Sequence, residues 1–160
     1  MTQALYLVAV LVLLAMYVSW TAGRLDRLHA RVDAAWAALD AQLVRRAAAA
    51  RALLPHLDGE PAVRLDAAAS RALDAGSHRR EVVENELTRA LRQALPLLAP
   101  GSDLGELAAA SGRVGLARSF HNVAVADTRS LRLRRMTRAF RLAGHRELPQ
   151  FFEIDDTALS

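Results

Sequence analysis

The first 23 residues carry no charged side chain, and the apolar run from Ala4 to Val18 continues through Ser19-Trp20-Thr21-Ala22. As a helix this stretch reaches about 30 Å, the thickness of a bilayer core. Tyr17 and Trp20 stand near its end, where aromatic rings favour the headgroup boundary. A secretory signal peptide is the rival reading. It calls for a basic leader, which does not appear before residue 24, and Thr21-Ala22-Gly23 is a poor cleavage site. The pattern therefore predicts a transmembrane anchor over 1–23. Arg24, Arg27 and Arg31 follow the span and no basic residue precedes it, so the positive-inside bias predicts a single-pass protein of the cell membrane with a cytoplasmic body.

Beyond the anchor the apolar period does not break. Leu25, Leu28, Val32, Trp36, Leu39 and Leu43 recur at steps of three and four, a single stripe along a helix. This first helix is predicted to run to about Leu57, with Pro55 as a break in its last turn. Asp58-Gly59-Glu60-Pro61 then stops and restarts the chain: glycine suits a left-handed cap and proline the opening turn of the next helix. A second helix is expected over 61–75, ended by Gly76. Ser77 caps a third that runs to about Leu98, with Val83, Leu87, Leu91 and Leu95 at four-residue steps. Pro96 and Pro100-Gly101 end it, and Ser102 or Asp103 caps a fourth. That helix carries Leu104, Leu107, Val114, Ala117, Phe120, Ala124 and Leu131; Gly112 and Gly115 lie inside it and weaken it unless a neighbour packs closely there.

No segment alternates with period two, so the fold class is all-α. Helices with one apolar stripe each bury it against one another, and the economical arrangement is an up-and-down antiparallel four-helix bundle. Helices two and three are short, so a three-helix bundle with a broken middle helix competes. The domain reading is an anchor over 1–23, a helical bundle over 24–146 and a tail over 147–160.

Composition changes this picture only at two points. Cysteine is absent, which removes disulfides, thiolate metal sites and a thiol nucleophile. All 21 basic residues are arginine, and the formal net charge is +4. Seven of them, Arg129, Arg132, Arg134, Arg135, Arg138, Arg141 and Arg146, succeed one another with no acid between, which leaves the rest of the chain net acidic. The charge is segregated.

Four blocks carry a family resemblance. They are Arg31-Val32-Asp33 followed by Ala35-Trp36, Gln42-Leu43 and Arg45-Arg46; Glu84-Asn85-Glu86-Leu87; Arg113-Val114 through Ala117-Arg118, Phe120, His121 and Asn122; and Phe151-Phe152-Glu153. In this order, behind an anchor, the chain resembles the LemA family. His121 stands where that family usually has tyrosine and Val123 where it usually has aspartate, and the middle of the chain is shortened. The resemblance implies an up-and-down four-helix bundle on a single-pass anchor, without enzyme activity or cofactor.

The residues themselves offer little chemistry. Asp26, Asp33 and Asp40 recur every seven positions on one helix face. They suit either a carboxylate row for a metal or flanking ion pairs that fix helix register, with Arg113 and Arg118 as the expected partners of Asp33 and Asp40; the register reading is the simpler. His78 with Glu81 and Glu84 is half of a bundle-borne di-metal pattern in reversed order, and the second half is missing. No nucleophile elbow or phosphate loop is present. Trp36 and Phe120 are expected in the core. The arginine stripe (Arg132, Arg134, Arg135, Arg138 and Arg141) suits a solvated face, a protein partner, anionic lipid headgroups or, without an aromatic platform to support it, nucleic acid. Homo-oligomers stay open. The expected function is a membrane-tethered, non-enzymatic interaction or scaffold module. A metal-dependent or hydrolytic enzyme and a nucleic-acid tether are the alternatives.

Overall fold

The computed structural model describes residues 1–99, 102–133 and 147–155. Four α-helices succeed one another: α1 (Thr2–Arg51), α2 (Gly59–Leu73), α3 (Arg80–Ala94) and α4 (Gly105–Arg132). A single 3-10 turn at Leu54–His56 separates α1 from α2, another at Ser77–Arg79 separates α2 from α3, and a third at Leu95–Leu97 closes α3. No strand occurs among the described residues. The fold is all-α, with helices packed as in a bundle.

The stops fall where backbone chemistry demands them. Pro55 and Pro96 each sit in the first positions of a 3-10 turn, where the missing N–H of proline ends the preceding α-helical ladder. Gly59 opens α2 at φ +68°, a conformation only glycine takes without strain. At the start of α4, Asp103 Oδ1 accepts the Gly105 N–H at 2.8 Å, satisfying one of the donors that a helix leaves unpaired. The apolar N-terminal stretch, long enough to cross a membrane, and the helix that follows it are one uninterrupted helix of 50 residues.

The described chain forms two compact units, each drawing on both α1 and α4. The first comprises Met1–Ala35 with Asn122–Phe151. Here Val32 packs on Ala124 and Val125, Arg31 pairs with Asp127 at 3.5 Å, and Thr128 Oγ1 lies 3.5 Å from the Leu28 carbonyl. Partner numbers fall along α1 as they rise along α4, so the two helices run antiparallel in this unit. Arg129 lies over the Phe151 ring at 5.3 Å and donates to the Pro149 carbonyl at 3.3 Å. Buried His29 holds its proton on Nδ1, which donates to the Leu25 carbonyl at 2.9 Å. The apolar side chains from Leu5 to Leu13 are exposed, as are Met16, Tyr17 and Trp20.

The second unit comprises Trp36–His121 and the segment from Phe152. Its main core joins Ala47 and Ala50 of α1 and Leu53 just beyond it to Leu65, Ala68, Ala69 and Ala72 of α2, Val83, Leu87 and Leu91 of α3, and Leu107 and Ala110 of α4. Half of these are alanines, and small side chains let helix axes approach closely. A second cluster joins Leu39 and Leu43 to Val114, Phe152 and Ile154, with Trp36 and Ala117 against it. α2 and α3 pack side by side, not end to end, which decides for four helices over a broken middle one. The exposed pairs Arg51–Asp66 and Arg71–Glu86, both 3.0 Å, link α1 to α2 and α2 to α3. Each contributes about 0–1 kcal/mol.

One expectation about α4 is corrected. Its buried positions follow a heptad, Leu107, Ala110, Val114, His121, Ala124, Thr128 and Leu131, whose gap at 117 is filled by half-buried Ala117, with Val125 buried beside that line. Phe120 falls one residue, or about 100°, outside that line and is 61% exposed. At Gly112 an added Cβ would meet nothing within 4 Å, so this glycine weakens the helix without a packing role. Gly112→Ala is therefore expected to stabilise the protein by about 0.5–1 kcal/mol, through the lower conformational entropy of the unfolded chain. Urea unfolding followed by circular dichroism measures it.

Candidate functional site

The buried face of α3 carries two parallel lines of side chains. Val83, Leu87 and Leu91 form an apolar one, and Arg80, Glu84 and Thr88, also at four-residue steps, form a polar one just as deeply buried. Burying charge is costly unless it is paired. The polar line finds its partners on α1 and α2. Arg80, 2% exposed, donates through Nε to Asp40 Oδ1 at 3.0 Å and through Nη2 to the same oxygen. Its Nη1 donates to the Ala72 carbonyl near the end of α2. One planar guanidinium thus ties α3 to α1 and α2, a geometry that lysine does not reproduce. Arg46, on α1 and buried, donates to Thr88 Oγ1, which donates in turn to the Asp155 carbonyl at 2.9 Å.

Glu84 is the exception. It has no exposed surface, and neither carboxyl oxygen accepts a hydrogen bond from the described residues. Arg80 stands beside it, with Nη1 4.0 Å from Oε1. Burial pushes its pKa up from 4.5 to about 7, opposed by Arg46 and Arg80 and reinforced by Asp40. The group can therefore take or release a proton near neutrality. Protonated Glu84 leaves the four charged side chains at a net +1; ionised Glu84 makes them neutral.

The 152–155 segment lies along α3 without helix or strand structure of its own. Phe152 and Ile154 are buried beside Leu39, Leu43 and Val114, while Glu153 and Asp155 face outward. Trp36 stands edge-on to both Phe152 (5.4 Å between ring centroids) and His121 (5.5 Å). The Glu153 N–H donates to Glu81 Oε1 and the Asp155 N–H to Asn85 Oδ1, each at 2.8 Å. Arg92 pairs with the Asp155 carboxylate at 2.8 Å.

The residues expected to carry register or binding are placed differently. Asp40 pairs with Arg80 of α3, and Arg113 with Glu106 of its own helix at 2.9 Å. Asp33 is exposed and Arg118 half-buried. Of the arginine stripe, Arg132 donates to the Glu147 carbonyl; Arg134, Arg135, Arg138 and Arg141 lie outside the described residues. His78 is exposed, and among the described residues no three His, Asp or Glu side chains gather as a metal site.

Sequence reasoning missed Arg46, Arg80 and Thr88, and it weighed Glu84 only within an incomplete metal pattern. A signal was present. Continued past Leu43, the α1 stripe reaches Arg46, Ala50 and Leu53 at steps of three, four and three, and Glu84 adjoins the Val83–Leu87–Leu91 line. A charge in a core register is where a buried pair should be sought. Comparison with protein-family models, curated proteins and solved structures returns no match to this chain.

Proposed function

We propose that this chain is a membrane-tethered, non-enzymatic interaction module and a divergent relative of the LemA family. One observation carries the reading. α1 presents exposed apolar side chains from Leu5 to Trp20 and, without a break, the buried stripe that organises the helical body. The apolar stretch has a mean hydropathy of 2.1 over 18 residues and is 6% buried. A surface of that kind is stable in lipid and not in water. Arg24 over the Trp20 ring, at 5.7 Å, suits the membrane boundary.

The family reading is supported by where the four resembling blocks meet. Trp36 and Arg46 from the first, Glu84 and Leu87 from the second, Val114 and His121 from the third and Phe152 from the fourth all line the core of one unit. On the cytoplasmic side the arginines at 134, 135, 138 and 141 would meet anionic headgroups, at about 1 kcal/mol each.

The full chain is expected to stay in the membrane pellet through alkaline extraction. Release into the supernatant would end the tether reading. In anionic nanodiscs, Gln at those four arginine positions is expected to cut photo-labelling by a reactive phosphatidylserine several-fold. Unchanged labelling would remove headgroup contact from the proposal.

A further inference from the structure

The contact between α3 and residues 152–155 has the form of a receptor with its ligand bound. Two residues of extended chain advance about 6.6 Å and four residues of α-helix about 6.0 Å. Alternate amides of the segment therefore keep step with successive turns of α3. That match is why the Glu153 N–H meets Glu81 while the Asp155 N–H meets Asn85. Thr88 then donates to the Asp155 carbonyl, and Arg92, one turn further, takes its carboxylate. Main-chain bonds supply the register. The buried Phe152 and Ile154 and the acidic side chain after them supply the selectivity. This is the division of labour found where proteins bind extended peptides.

The division between compact units falls between Phe151 and Phe152, so residues just before the segment belong to one unit while its own contacts are with the other. Such an element makes the same contacts whether its neighbours in sequence belong to the same molecule or not, which is the condition for exchange at low cost.

We propose that the α3 face bearing Glu81, Asn85, Thr88 and Arg92 is a receptor for an extended Phe-x-Ile-Asp segment, and that two copies of this chain exchange residues 152–155 across it. Each copy carries one receptor and one segment, so a reciprocal exchange leaves neither unfilled. The pair closes as a two-fold dimer instead of propagating.

The absence of cysteine makes the test clean. Arg89 and Glu153 line the same surface hollow, together with Asn85, Ile154 and Asp155. The Glu153 side chain is exposed and its bond to α3 comes from the main chain, so Glu153→Cys keeps that bond. Two differently tagged full-length chains, one Arg89→Cys and one Glu153→Cys, are mixed in detergent micelles and treated with a short bismaleimide. A mixed cross-linked dimer is expected, several-fold above that from a Glu60→Cys control paired with the same Glu153→Cys chain. Adding Phe152→Ala and Ile154→Ala to the Glu153→Cys chain should abolish it, because the receptor is then supplied by the other, intact chain. A mixed dimer at control level, while a chain carrying both cysteines closes on itself, overturns the exchange. Failure of that double variant to close overturns the receptor as well. Because the assay runs in micelles, neither result bears on the membrane tether.

Discussion

Replacing Arg80 with alanine is expected to destabilise the protein by about 3–5 kcal/mol at about pH 8 and by distinctly less at about pH 5. The large loss has three sources. Arg80 is buried, its guanidinium fork holds Asp40 and the Ala72 carbonyl, and it stands beside Glu84. Without it the carbonyl loses a donor, and Glu84 keeps only Arg46 as a favourable neighbour. The pH dependence comes from Glu84. A protonated acid forfeits little when a nearby cation disappears, whereas an ionised one is left buried and poorly compensated. Asp40 is partly exposed, so water takes over much of its solvation. Arg80→Lys should fall between wild type and alanine at both pH values, since it keeps the charge and loses the fork. Denaturant unfolding at the two pH values measures this. An equal loss at both would mean that Glu84 does not sense Arg80.

The unmodified protein should itself lose about 3 kcal/mol of stability between about pH 4.5 and about pH 7, all from Glu84. The folded state binds the Glu84 proton more tightly than the unfolded chain does, because burial raises the folded pKa. Below 4.5 both states hold the proton and this group imposes no penalty. Between 4.5 and about 7 only the folded state holds it, so each rise in pH favours unfolding. Above about 7 both have released it and the penalty is constant. Glu84→Gln mimics the protonated form and should remove this part of the profile. At about pH 8 it should be more stable than wild type by up to the same amount, as replacing a buried charge often is. A parallel displacement of the two profiles, with their slopes unchanged, would show that another group carries the titration.

The two predictions concern residues of different legibility in the sequence. Order and extent of the helices come from local chemistry: prolines at 55 and 96 and glycine at 59 act on the backbone within a few residues, and the structure ends helices beside them. Which face turns inward was also readable, as Leu39, Leu43, Leu87 and Leu91 illustrate. Partners were not. Asp40 lies on α1 and Arg80 forty residues later on α3, and no periodicity within either helix pairs them. The same holds for residues 152–155. Their alternation of buried and exposed side chains is too short to stand out, and it acquires meaning only against Glu81, Asn85 and Thr88. Phe120 shows the converse limit. Its size suggested the core, but its position in the heptad places it outside.

The continuity of α1 has a torsional consequence. In an unbroken helix every residue's azimuth is fixed by its count from any other, at about 100° per residue. The apolar stretch ending near Trp20 and the inward line beginning at Leu25 therefore share one phase. A single alanine inserted beside Gly23 would turn everything downstream by about 100°, whereas seven would restore the facing to within about 20°. Within its unit α1 acts as a spline, carrying rotation of the apolar stretch to the line that begins at Leu25.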